Sequence, residues 1–211
     1  MRYLFLYQTG RLVKEAEFIE VDVMIICLTG MPGAGKSEAS LILKKHGFEI
    51  IEMRDIVISM MKEENIEVNV RSLEEFAKRI RKERGADVVA EELVARMKDR
   101  EDNIAIVGLR GMGELEYLKT KMSDIHVVAL VADREVRFER LKISKKDSLG
   151  SYADFELREI NNAKNLGVDA TVKHAEFYIF NNGTKEDLER SVEDLFLALE
   201  KKEKERESGN L

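Results

Sequence analysis

The stretch Gly30-Met31-Pro32-Gly33-Ala34-Gly35-Lys36-Ser37 constrains the chain more than any other. It fits the pattern G-x-x-x-x-G-K-[ST] and lies between an apolar, β-branched run, Val23–Thr29, and a helical stretch, Lys36–His46, closed by Gly47. Glycines let such a loop wrap until successive backbone N–H groups converge on one phosphate. The following helix adds the positive end of its dipole. Gly30, Pro32, Gly33, Ala34, Gly35 and Glu38 therefore belong to a nucleotide-binding segment with Lys36 and Ser37. Lys36 would reach the β- and γ-phosphates, and the Ser37 hydroxyl would be a magnesium ligand, so the cofactors implied are ATP and Mg2+.

The rest of the chain alternates in the way a parallel α/β fold requires. Strand-like runs recur at Phe48–Glu52, Asn103–Val107, Ile125–Val131 and Phe177–Phe180. Between them the spacing predicts helices over Arg54–Glu64, from Ser72, over Ala86–Lys98, from Asp133, and over Phe155–Leu166, with Lys185–Glu200 closing the chain. Ser72 with Glu75 reads as a capping box, followed by the apolar stripe Leu73, Phe76, Ala77 and Ile80. Lys142–Ser151 is polar and basic and reads as a mobile loop. Residues 1–23 precede the first strand, Met24 is an alternative start, and a dispensable N-terminal extension is expected there.

The chain has 211 residues, and 24–211 suits one compact domain. One cysteine, Cys27, excludes a disulfide framework or a cysteine-built zinc site and fits a reducing cytoplasm. A net charge of −6 argues against general nucleic-acid binding. The longest apolar runs fall well short of the roughly 18 residues that span a bilayer, and nothing reads as an export signal, so no membrane partner is expected.

The loop Gly-x-Pro-Gly-x-Gly-Lys-Ser resembles that of nucleoside-monophosphate kinases such as adenylate kinase. Met53-Arg54-Asp55 resembles the Gly-Asp that opens their monophosphate-binding helices, and Gly85–Val94 resembles the lining of the acceptor-base pocket. Ile106-Val107-Gly108-Leu109-Arg110 is similar to the Asp-Gly-Phe-Pro-Arg segment after the third strand. Asn181-Asn182-Gly183-Thr184 is similar to the loop beside the donor adenine, there and in dephospho-coenzyme A kinases. A group of archaeal adenylate-kinase-related proteins allied to both is the nearest resemblance. It implies a three-layer P-loop NTPase fold with a five-stranded parallel sheet, a helical acceptor-binding insertion at about 54–99 and a short lid at about 142–152. It also implies ATP-dependent phosphoryl transfer to a nucleotide such as AMP, with Asn182, Gly183 and Thr184 near the adenine; a homodimer stays open. The chain departs from the pattern at Val107, where the family has an acid, and at Ile58, where it has an arginine. Lys145 and Lys146 stand in the lid where arginines are usual, and lysine lacks their bidentate fork.

Phosphoryl transfer needs cations around a spreading negative charge, which makes Lys36, Arg110, Arg137, Arg140 and Arg158 the candidate catalytic cations. Arg110 follows the third strand and would hold the acceptor or the γ-phosphate; a surface salt bridge is its plain alternative. Arg137 and Arg140 share a helix face, although Asp133 lies four residues before Arg137 and offers it an ion pair. Arg158 resembles a lid-return arginine. Asp55 would orient a phosphate acceptor, serve as base for a hydroxyl acceptor, or cap the following helix. The basic residues Lys78, Arg79, Arg81, Lys82 and Arg84 read first as solvated surface, with acceptor-phosphate contact as the alternative. His46, His126 and His174 lack ligand spacing, and Gly111 and Gly113 read as loop residues around Arg110. A hydroxyl kinase of the dephospho-coenzyme A type, an NTPase conformational switch and a non-catalytic nucleotide-binding module remain open alternatives.

Overall fold

The computed structural model describes residues 24–97, 102–144 and 149–208. The expected extension 1–23 and the lid residues Lys145 and Lys146 lie outside the described residues. Five strands, β1 (Ile25–Thr29), β2 (Glu49–Glu52), β3 (Ile104–Leu109), β4 (Ile125–Val131) and β5 (Phe177–Phe180), form one parallel sheet in the order β2-β3-β1-β4-β5. β1 is central, so the chain leaves it toward β3 on one side and later returns to β4 on the other. That reversal opens a crevice at the carboxyl ends of the strands, where open α/β sheets bind ligands.

Alternation along β1 explains the three layers. Ile25 and Cys27 face one core with α2 (Met53–Glu63), α3 (Val70–Arg84), α4 (Val88–Arg96) and α5 (Met112–Lys121). Ile26 and Leu28 face the other, with α1 (Lys36–Lys45) and α9 (Lys185–Ser208). Both faces are covered, which is why the strands read as continuous apolar runs rather than alternating ones. Burial pushes the Cys27 thiol up to about 12, an inert core residue as expected. α6 (Arg134–Lys142) and α7 (Tyr152–Ile160) flank the expected lid segment.

The insertion is helical, as its pattern requires, but α3 begins before Ser72. Asn69 is the N-cap: its Oδ1 accepts from the Ser72 N–H at 2.9 Å, and its own N–H donates to Ser72 Oγ at 3.0 Å. Asparagine caps as well as serine, and the earlier start lets Arg71 pair with Glu75 one turn on. Asp55 likewise does not cap α2; Glu52 holds that position, and Asp55 is exposed in the first turn.

Gly108–Gly113 is only partly a loop. Gly111 caps α5 and Gly113 lies inside it, where a Cβ would come within 2.8 Å of the Ala86 methyl. Helical periodicity in α5 is weak, and the two glycines hide it. Phe155–Leu166 is likewise not one α-helix: α7 runs into a π-helical turn over Asn161–Asn165, and a short α8 (Val168–Lys173) follows. Replacing Asn69 with Ala should lower the unfolding free energy by about 1 kcal/mol, read by urea denaturation; an unchanged midpoint would mean that the cap does not hold α3.

Candidate active site

The loop between β1 and α1 has the backbone an anion cradle needs. Gly30, Gly33 and Gly35 all have φ between +80° and +134°. At Gly30 a Cβ would collide with the Leu130 carbonyl oxygen of β4, and at Gly35, the left-handed N-cap of α1, with the amide of Asn181. Two side chains hold the loop from outside. Asn181, buried at the end of β5, donates from Nδ2 to the Ala34 carbonyl at 2.9 Å. Arg137 donates from Nη1 to the Pro32 carbonyl at 3.2 Å and from Nε to Ala132 at 3.0 Å.

Lys36 folds back over its own loop, donating to the carbonyls of Gly30 (2.6 Å) and Met31 (3.1 Å). Its ammonium is thus held at the loop mouth, and a phosphate would replace carbonyl oxygens by charged ones. Ser37 is exposed in the first turn of α1, and Glu38 pairs with Lys185 at 2.7 Å. The donor set fits Mg2+, which keeps several waters and takes phosphate oxygens, needing few protein ligands. Among the described residues no group of three His, Cys, Asp or Glu could hold a metal by itself. Val107 is buried, but Glu52 pairs with it in register on β2, so the neighbouring strand carries an acid at that level.

The arginines divide into two kinds. Arg137 is buried and bidentate to Glu159, with both contacts at 2.6 Å. It does not pair with Asp133, whose carbonyl instead accepts the Arg137 backbone N–H. Its guanidinium is committed to Glu159, Pro32 and Ala132, so it positions the loop rather than reaching into it. Arg140 donates to the Asn181 carbonyl at 2.8 Å and lies 3.5 Å from that of Gly183, and partial burial lowers its pKa. It braces the loop over Asn181–Thr184, in which Asn182 Oδ1 accepts from the Asp133 N–H and Thr184 caps α9 through a reciprocal pair with Asp187.

Arg110 belongs to the other kind. Its backbone is clamped, with the N–H donating to Glu114 Oε2 at 3.0 Å and the carbonyl accepting from Thr171 Oγ1 at 2.7 Å. Its side chain has a single hydrogen-bond partner among the described residues, Asn162 Oδ1 at 3.2 Å, for a guanidinium with five N–H groups. Burial, then the adjacent Arg81, and further off Arg158, push its pKa down to about 10, against the opposing pull of Glu114 and Glu74. Arg81 donates to the fully buried Glu114 at 2.6 Å, and Arg158 lies 3.4 Å from Glu74. The structure thus brings Arg110 and Arg158 together and adds Arg81, which the basic run in the sequence disguises as surface. Asn162 and Glu114 escape sequence reasoning because their partners Arg110 and Arg81 lie 52 and 33 residues away, and the bond of Asn181 to the phosphate loop spans 147. Asp55 has no described contact that joins it to these groups.

Fold and loop together define a P-loop nucleotide-binding domain with a kinase-like fold. The family model described as "AAA domain" matches residues 26–160. A UPF0200 protein of Thermococcus onnurineus is 30% identical over 82% of this chain and 96% of its own. A UPF0200/UPF0201 protein of Archaeoglobus fulgidus is 27% identical over 86% of this chain, which spans only 57% of that relative's length. The shikimate kinase of Bacteroides thetaiotaomicron superposes with a TM-score of 0.57 at 19% identity, covering 84% of this chain and 98% of that one. The chain belongs to the UPF0200 family, with an AAA-type P-loop core.

Replacing Glu159 with Gln removes the counter-charge of a buried arginine and should cost on the order of 3 kcal/mol of stability. ATP affinity should fall with it, because Arg137 also steadies Pro32. Full stability in thermal unfolding, or unaltered ATP binding in calorimetry, would contradict that role.

Proposed function

We propose that this chain is an ATP- and magnesium-dependent phosphotransferase acting on a nucleotide or nucleotide-like small molecule, with AMP the favoured acceptor. The observation that carries the reading is the second cationic group. Arg81, Arg110 and Arg158 form it past the end of β3, beside the strand that leads into the phosphate loop. A hydrolytic NTPase uses such an arginine on the γ-phosphate, whereas a phosphotransferase needs further cations for its acceptor, and three arginines gathered here favour the second.

In this reading ATP lies on Gly30–Ser37 with its adenine against the loop Asn182–Thr184. Ser37 would hold Mg2+, which would supply positive charge against the transferring phosphoryl group. Lys36 leaves the carbonyls of Gly30 and Met31 for the β- and γ-phosphates. An oxygen of the acceptor attacks the γ-phosphorus, the bond to the β-phosphate oxygen breaks, and ADP departs. A phosphate acceptor is already an anionic nucleophile, so Asp55 orients it or hydrates the metal and no base is required. Arg110 holds the acceptor, Arg158 approaches from the lid side, and Arg137 and Arg140 keep the two nucleotide loops in place.

The test is transfer of label from ATP to AMP, CMP, UMP, dephospho-coenzyme A or shikimate, with a no-acceptor control. Labelled ADP from AMP is the expected product. Labelled coenzyme A or shikimate phosphate would give the hydroxyl-kinase alternative instead. Phosphate release without any acceptor would point to an NTPase switch, and tight ATP binding without turnover to a binding module. Lys36→Ala should lower transfer by about 100-fold or more. Val107→Asp should raise magnesium-dependent turnover if that strand position lacks an acid the reaction uses; an unchanged rate would assign that work to another group, with Glu52 the neighbour to test next.

A further inference from the structure

Arg81, Arg137 and Arg158 each have a carboxylate within ion-pair distance, Glu114, Glu159 and Glu74 respectively. Arg110 has none among the described residues. Its guanidinium meets instead the Oδ1 of Asn162, a neutral amide, at 3.2 Å. Burial is the main cause of its lowered pKa, and the fields of Arg81 and Arg158 act in the same direction. A buried guanidinium without a counter-charge costs stability, and folds carry such a cost where a ligand brings the missing charge.

The local structure is shaped around this contact. Asn162 is 2% exposed and lies in the π-helical turn Asn161–Asn165, where the Leu166 N–H reaches back five residues to the Asn161 carbonyl at 3.1 Å. Such turns recur at functional sites. The Nδ2 of Asn162 donates to the Arg158 carbonyl at 2.8 Å. A carbonyl only accepts and a guanidinium only donates, so one orientation of the amide satisfies both partners. The backbone of Arg110 is held separately, by Glu114 and Thr171, and Asn162 constrains the side chain that those contacts leave free. An aspartate in its place would accept the same hydrogen bond, but it would neutralise Arg110 as Glu159 neutralises Arg137.

We propose that Asn162 is a positioning residue for the anion site: its amide aims the Arg110 guanidinium into the crevice past β3 and, being uncharged, leaves that cation available to the phosphate group of the acceptor. This role deepens the phosphotransferase reading and rests on it for the identity of the anion. An arginine presents five N–H groups in a fixed fork. The single contact with Asn162 leaves enough of them to grip two phosphate oxygens.

The experiment is calorimetric titration of the full chain at pH 8 with inorganic phosphate and with AMP, each carried to millimolar concentration. A non-hydrolysable ATP analogue and Mg2+ fill the phosphate loop beforehand. The wild-type chain should bind both probes. Asn162→Ala releases the Arg110 side chain and should weaken both about two- to tenfold. Asn162→Asp keeps the hydrogen-bond acceptor but pairs off the charge, and should weaken them by about tenfold or more. In an Arg110→Ala background the Asn162→Ala loss should shrink to within about twofold, because Asn162 acts through Arg110. Thermal unfolding of every variant separates a folding defect from a binding one, and Asn162→Asp, which retains a partner for Arg110, serves if Asn162→Ala does not fold. An Asn162→Ala loss of equal size with and without Arg110 overturns the proposal. So does an Asn162→Asp chain that binds phosphate as the wild type does, or a wild-type chain that binds neither probe. If the variants behave as expected while the wild-type chain transfers phosphoryl to no acceptor, the phosphotransferase reading falls and the role of Asn162 stands. If AMP is phosphorylated with the same kcat and KM in both Asn162 variants, Asn162 loses its role and the phosphotransferase reading stands.

Discussion

A phosphate loop works only if its backbone is already shaped when the nucleotide arrives, and this requirement organises the molecule. Gly30 and Gly35 hold conformations that side chains rarely adopt, and neighbouring strands press so close that a Cβ would collide. Such a backbone persists only where its surroundings over-determine it. Here the determinants are Asn181 from the end of β5, Arg137 from α6 and the Leu130 carbonyl of β4. The sheet order follows from the same need, since a central β1 is what allows β4 and its successors to close around the loop from one side while β3 brings Arg110 from the other.

Arginine does two kinds of work around that loop. Arg137 is nearly saturated: four hydrogen bonds tie it to a carboxylate and two carbonyls, and the group acts as a rivet between the phosphate loop, α6 and α7. Arg110 is the opposite, rigid in its backbone and open in its side chain. Glu114 makes that combination workable, because one buried carboxylate caps α5, holds the Arg110 N–H and neutralises Arg81. An acidic envelope of net charge −6 does not contradict a phosphate site. It concentrates positive charge in one crevice, where low dielectric and shape make each cation count for more.

Local features are legible in the residues themselves. The strands, the phosphate loop, the helical insertion and its approximate limits all follow from patterns that complete themselves within a few positions. Boundaries blur where two residues compete for one role, as Asn69 and Ser72 do for the cap of α3. α5 is masked because Gly111 and Gly113 look like loop, although Gly113 is there to let α5 approach Ala86. The π-helical turn after α7 is equally hidden, yet it carries Asn162, which accepts from Arg110 and donates back to the Arg158 carbonyl.

By itself the sequence determined that this chain is a parallel α/β protein with a phosphate-binding loop at Gly30–Ser37, because strand and helix periodicity and loop glycines are short-range physics. It also supplied the set of cations. Only the tertiary structure decided which of them are tied up and which are open. Arg137 and Arg110 are alike as residues, and their difference lies in Glu159 and Asn162, partners 22 and 52 positions away. A guanidinium's role depends on what burial and counter-charge leave unsatisfied, and both are properties of the folded chain.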